Sequence, residues 1–472
     1  MSLRKTFFNR VILFMAAAFL SVILFYGCSP ADTTEVVAPE IFLSGTPEDS
    51  PGMQAGFAYR DYKYYYSTLT QKQKEIYVVL YEIVDEMKTG NIKIAEGVES
   101  VDLSVAMSAY FADNPSHFWV TESMETCWTS TDNLGMNLDR FFNGMFSVFP
   151  GVDKKEDFSN YSAAYCNMKY IYETTGERDE AKKRLETKIA QALSGVSPDM
   201  SEFDRELYLH DWLLENCEYD GEAYDEYLES GLIEGFNESY TAYGALVNGK
   251  ATCAGYARAM QLLLSETGIE SRFITGVRND EEVGEAVAHA WNVVFIDGAA
   301  YHLDATWNDR DLWGIKDSAY SPVKDGNKQG FYDVKNRTEH KYFNVNEETV
   351  SRDHWGFAPQ LCTATDANYY FRKGLDFTID STGAEKIETL STELADMVRR
   401  NVGLIEVYVG TDQHTREQLV DTLVDKAEGI MYDSLAEANQ KLGERYFRED
   451  IVYYGVDEEA GIISIYTIKN DY

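Results

Sequence analysis

Three polar residues stand out by type and order: Cys253 in Gly249-Lys250-Ala251-Thr252-Cys253-Ala254-Gly255-Tyr256-Ala257, His289 in His289-Ala290-Trp291-Asn292, and Asp304 in Tyr301-His302-Leu303-Asp304. A thiol, an imidazole and a carboxylate supply nucleophile, base and orienter for acyl transfer through a thioester. Taken singly, each has a blander reading. A cysteine near a helix start is most often a buried structural thiol. A histidine opening a strand is most often a core or rim residue, and an aspartate before Ala-Thr-Trp is most often a turn former. Their joint appearance, each where local structure can aim it, carries the chemical reading.

The local elements follow from pattern. Thr252 suits an N-cap, and Tyr256, Met260, Leu263 and Leu264 make one apolar stripe ahead of Gly268, a left-handed cap. Cys253 therefore falls in the first helical turn, where exposed N–H groups and the helix dipole favour a thiolate and an oxyanion. His289 opens a strand running to Ile296, and Asp297-Gly298 signals a two-residue hairpin. With those two residues as the loop, Trp291 faces Asp304, and His289 is the diagonal neighbour of Asp304, roughly 7–8 Å away. A one-residue slip would put the two on opposite faces.

These motifs resemble the bacterial transglutaminase-like superfamily, related in fold to papain-type cysteine peptidases. The resemblance runs from about Glu206 to Trp355. It includes Leu209-His210-Asp211-Trp212-Leu213, Glu218-Tyr219-Asp220 and Tyr243-Gly244-Ala245-Leu246-Val247-Asn248-Gly249-Lys250, with the Cys253, His289 and Asp304 motifs. Tyr342-Phe343-Asn344-Val345 and Asp353-His354 close it. The resemblance implies Cys253 as nucleophile, His289 as base, Asp304 as its orienter, and no metal or other cofactor. It implies Tyr219 as a residue lining the oxyanion or substrate site, and a structural place for His210; Trp291 reads as core. The implied activity is hydrolysis or transamidation of peptide or amide bonds. The alternative is a catalytically inactive binding or scaffold protein on the same fold.

The N-terminus gives the setting. Arg4, Lys5 and Arg10 precede the uncharged run Val11–Tyr26, which is shorter than the roughly 20 residues of a spanning helix. The run ends in Leu24-Phe25-Tyr26-Gly27-Cys28, which resembles a lipobox with Phe25 in the usual leucine place. Residues 1–27 are thus expected to be a lipoprotein signal peptide, with Cys28 lipidated on the outer face of the cytoplasmic membrane; an uncleaved anchor is the alternative. Residues 28–56, rich in Pro, Thr and acidic residues, read as a flexible tether. The flanks also resemble Firmicute lipoproteins carrying this domain.

With 42 basic against 79 acidic residues, the formal charge of −37 disfavours nucleic acid as a partner. The expected partners are a protein or peptide substrate, including cell-envelope peptides, and the membrane through its lipid anchor. The six cysteines show no Cys-x-x-Cys pair or zinc spacing, and the choice between disulfides and buried thiols stays open.

The fold class expected is α+β. A mainly helical region spans 57–198, a transglutaminase-like (papain-like) domain spans 199–356, and a small α/β domain of unknown role spans 357–472. In the first, helices are expected near Ile76–Met87, Val101–Ala112 and Lys182–Leu193. In the last, strands are expected at Gly374–Ile379, Ile405–Val409, Ile451–Tyr454 and Ile462–Ile468, with helices at Ala384–Arg399 and Thr415–Glu428.

Overall fold

The computed structural model describes residues 63–90, 92–130, 133–142, 161–230, 238–280, 285–309, 339–378, 384–400, 404–424 and 429–469. The signal-like segment, Cys28 and the tether lie outside these residues. Two compact units form: Met1–Gly298 with Val350–Leu361, and Ala299–Thr349 with Cys362–Tyr472. The division falls after the Asp297-Gly298 turn, inside the domain expected over 199–356.

In the first unit, α1 (Gln71–Asp85) starts at a reciprocal capping box between Thr70 and Gln73 and buries Ile76, Tyr77, Leu80, Ile83 and Val84. After it come β1 (Ile92–Val98) and α2 (Ser100–Asp113). The region expected to be mainly helical also carries β2 (Val120–Ser130), β3 (Asn133–Phe142) and β4 (Tyr161–Tyr170). With β1 they make an antiparallel sheet in the order β1-β4-β2-β3. This sheet stands beside the helices expected there, and the reason the sequence did not announce it is physical. The β2 stretch is mostly Thr, Ser and Glu, with Val120, Met124 and the adjacent Cys127 and Trp128 at uneven spacing, so cross-strand pairing rather than a hydrophobic period specifies it.

α3 (Thr175–Leu193) begins before the expected Lys182, because Thr174 and Glu177 form a second capping box. α4 (Glu202–Asn216) starts at Ser201, whose hydroxyl accepts from Asp204 N and donates to the Asp204 carboxylate. β5 (Glu218–Tyr219) and α5 (Gly221–Ser230) follow, and β5 pairs in parallel with β6 (Lys250–Ala251). Then come α6 (Cys253–Glu266), β7 (Ser271–Asp280) and β8 (Glu285–Ile296). β7 and β8 pair antiparallel in unbroken register from Ser271↔Val294 to Asp280↔Glu285. The short strand His354–Trp355 pairs with β7 at Arg278 and Val277.

The second unit opens with β9 (Ala299–Leu303), bridged from His302 to Val345. The 339–349 stretch joins the C-terminal part through His340. Its ring stacks on Tyr369 at 3.8 Å, and its Nδ1 lies 3.1 Å from Glu406 Oε2. α7 (Ala384–Arg400), β10 (Leu404–Tyr408), α8 (Gln413–Val424), α9 (Ile430–Leu442), β11 (Phe447–Asp457) and β12 (Ile462–Lys469) complete it. The sheet is antiparallel in the order β10-β12-β11.

The strand expected at Gly374–Ile379 is reduced to one parallel bridge, Asp376↔Tyr408. The Asp376 carboxylate turns back onto Thr378 N at 2.8 Å, offering the backbone a local partner instead of a ladder. Cys166, Cys217, Cys253 and Cys362 are buried thiols and not disulfides. Among the described residues no helix is long and apolar enough to cross a membrane.

Candidate active site

Cys253 is the first residue of α6, and its N-cap Thr252 has extended backbone. The helix ends as its sequence requires, with Gly268 at φ +77°. Thr252 does not cap its own helix by side chain. Both its N–H (2.8 Å) and its hydroxyl (3.3 Å) donate to the carbonyl of Ser239. The chain at 239–241 thereby lies against the helix start so closely that only glycine fits at position 255. A Cβ there would stand 2.4 Å from Ser239 O and 2.7 Å from Ala251 Cβ.

A buried polar brace backs this contact. Ser239 Oγ donates to Asp220 Oδ2, while Asp220 Oδ1 accepts from Ala223 N at 3.2 Å and pairs with Lys250 Nζ at 3.1 Å. Asp220 N in turn donates to Ala251 O at 2.8 Å. One carboxylate therefore caps α5, anchors Ser239 and ties down β6, the strand that delivers Cys253. Sequence reading quoted Asp220 within a motif but gave it no role. The available signal was an aspartate directly before a helix.

Burial alone would raise the Asp220 pKa, but the hydrogen bonds from Ser239, Lys250 and Ala223 N outweigh it and hold the carboxyl below its usual value. A carboxylate depressed in the folded state stabilises the fold fully above its unfolded pKa of about 3.9. That contribution is lost as pH falls through the lower folded value. Thermal melts of Asp220→Asn should therefore lie below wild type at neutral pH and converge on it in acid. Parallel curves across the whole range would show that the carboxylate charge plays no part.

Tyr219 lies on β5, beside the strand that leads into Cys253. It pairs with Ala251, two residues before Cys253, and is half-buried with its ring 6.3 Å from Tyr224.

β8 presents two faces. Asn292 Nδ2 donates to Ala257 O at 2.9 Å, and Ala288 and Ala290 share a buried cluster with Cys253, Ala254 and Ala257. That face covers α6. By strand alternation, His289 and Trp291 project from the other face. There their rings stack at 5.7 Å and 18°. Gly276, the β7 partner of His289, makes room, because a Cβ would stand 2.6 Å from Trp291 Cη2. Trp291 is buried, as expected of a core aromatic.

His354 completes the surroundings of His289, with its ring 5.5 Å away and its Nδ1 2.6 Å from Asp353 Oδ1. Arg278 Nη2 lies 3.6 Å from the other Asp353 oxygen. Sequence reading placed Asp353-His354 in the closing region without a role. Their adjacency to His289 comes from the pairing of His354 with Arg278 across β7. His210 is buried in α4 with Nδ1 2.9 Å from Asp211 Oδ1, in keeping with a structural place.

Asp304 belongs to the second unit and is buried there. Its Oδ1 accepts from Trp307 N at 3.1 Å and its N–H donates to Tyr342 O at 3.1 Å. The turn-forming role is thus real, whatever else this carboxylate does. The structure groups Cys253, Tyr219 and His289 in one unit and Asp304 in the other, so the β8–β9 register expected from the Asp297-Gly298 turn remains an expectation. The turn residues themselves have φ +51° and +82°, both positive, as a type I′ turn requires.

Residues 187–305 match the family model of the Transglutaminase-like superfamily. That span includes Cys253, His289 and Asp304. No curated protein sequence matches the chain. Among solved structures, a TGase is 14% identical, covering 37% of this chain and 47% of its own, with a TM-score of 0.24. A candidate cysteine protease from Cytophaga hutchinsonii is 14% identical over 32% of this chain and 53% of its own, with a TM-score of 0.20. The periplasmic domain of TgpA from Pseudomonas aeruginosa, bound to ethylmercury, is 15% identical over 40% and 66%, with a TM-score of 0.16. The chain thus spans about half of the length of the first two of these proteins.

Proposed function

We propose that this chain, which carries a transglutaminase-like domain over residues 187–305, is a thiol enzyme acting on peptide or amide bonds outside the cytoplasmic membrane. Cys253 Sγ attacks a carboxamide or peptide carbonyl, forming a C–S bond and an oxyanion. His289 takes the thiol proton and returns it to the departing amine or ammonia as the C–N bond breaks. Water or a second amine then attacks the thioester, and the thiol is regenerated. Asp304 orients His289, Tyr219 lines the oxyanion or substrate site, and N–H groups of the first α6 turn favour the oxyanion.

The observation that carries this reading is the placement of Cys253 as the first residue of a helix whose start is braced by Ser239 and Asp220. A second reading, a non-catalytic binding protein, has one observation in its favour: His289 projects from the β8 face opposite the one that covers α6.

Incubating the protein with glutamine-containing peptides, with and without a labelled amine, separates the outcomes. Ammonia or cleaved peptide alone indicates a hydrolase, and incorporated label a transferase. Neither product would favour the binding reading. We place the enzyme on the membrane through lipidated Cys28, with envelope peptides or secreted proteins as substrates. Cys28→Ser should release it from the membrane fraction, and retention there would overturn the lipid anchor.

A further inference from the structure

We propose that His302, Glu347 and Cys362 form a binding site for a divalent cation of the zinc class. The three residues come from three separate stretches of the second unit, and one donor atom from each lies within 4.8 Å of the other two. His302 and Cys362 are buried and Glu347 is half-buried.

The frame that brings them together is backbone. His302 N donates to Val345 O at 2.9 Å and Val345 N to His302 O at 3.0 Å, fixing β9 two residues before Glu347. Glu347 N donates to Cys362 O at 2.8 Å, and Cys362 N lies 3.4 Å from Glu347 Oε2. The short helix Glu347–Val350 is capped by Asn346, whose Oδ1 accepts from Thr349 N at 2.9 Å. These bonds hold the three stretches beside one another before any ion arrives.

The donor chemistry selects the ion. Imidazole and thiolate with one carboxylate suit zinc and its borderline neighbours, whereas magnesium and calcium take oxygen donors. With Zn–N near 2.0 Å and Zn–S near 2.3 Å, donors around one ion sit roughly 3.3–3.8 Å apart. Inward shifts of about 1 Å close the present geometry to that spacing. On binding, Cys362 loses its proton to solvent, and the dication balances the buried thiolate that forms. Three protein donors leave a fourth position for water. The ion would clip β9 to the segments at 345–347 and 362. No sequence spacing reveals it, since the donors are far apart along the chain.

The test is a titration of the metal-free full chain with Co(II). One equivalent should give a thiolate-to-cobalt charge-transfer band in the near ultraviolet, discharged by added zinc. Cys362→Ser should lose that band, and His302→Gln and Glu347→Gln should each weaken binding by about tenfold or more. Cys253→Ala should keep the band, which separates this site from the proposed nucleophile. Circular dichroism identifies variants that keep the wild-type fold, and Glu347→Gln conserves volume should Cys362→Ser misfold. Absence of the band in the wild type, its survival in Cys362→Ser, its loss in Cys253→Ala, or unchanged affinity in Glu347→Gln would each overturn the proposal.

Discussion

Cys253→Ala is expected to lower amidase or amine-transfer activity by about 10⁴-fold or more, since a displacement mechanism without its nucleophile keeps only binding and oxyanion stabilisation. The fold should survive. Cys253 is buried among small side chains, Ala254, Ala257, Ala288 and Ala290 among them, and a thiol-to-methyl change there should cost on the order of 1 kcal/mol. Activity and melting temperature must therefore separate. If both fall together, Cys253 is a core residue; if activity persists with the fold intact, another group carries the chemistry.

The second large effect is expected two residues further on. Gly255→Ala adds a single Cβ that would stand 2.4 Å from the Ser239 carbonyl oxygen, a backbone atom that Thr252 N already holds by a hydrogen bond. Neither partner is a flexible side-chain end, so the α6 start or the 239–241 chain must shift. Overpacking of this kind costs about 1–3 kcal/mol, partly offset by the roughly 1 kcal/mol that alanine gains over glycine inside a helix. Activity should suffer more, because a displacement of about 1 Å at a nucleophile can cost on the order of 10²-fold. Gly176→Ala is the matched control, since its Cβ would meet only Thr174 Oγ1 at 3.9 Å. Peptide turnover and thermal melts of the two variants check the prediction. Wild-type turnover in Gly255→Ala would show that the helix start is not held as tightly as the contacts imply.

The elements that carry Cys253 and His289 were legible because local signals agree. The Tyr256–Leu264 stripe and Gly268 define α6, and Asp297-Gly298 takes the positive φ pair its residue types favour. What the sequence concealed depends on partners distant along the chain. Thr252 looks like a cap for its own helix, yet its hydroxyl goes to Ser239 O. That choice follows from where Asp220 holds Ser239, which no local pattern encodes. The same holds for His354, brought to His289 by strand pairing across β7. The four-stranded N-terminal sheet escaped for a different reason: polar strands such as β2 lack a clean period of two, whereas the helices beside it carry an obvious one.

Competitive alkylation tests the central claim most directly. Cys166, Cys217, Cys253 and Cys362 are all buried thiols, so the folded protein carries its own controls for simple accessibility. Limited treatment with iodoacetamide at mildly acidic pH, followed by peptide mapping, is predicted to label Cys253 well ahead of Cys166 and Cys217, with a glutamine-containing peptide slowing that labelling. Modification of Cys253 only on denaturation, in step with those two, would contradict a nucleophile at the start of α6.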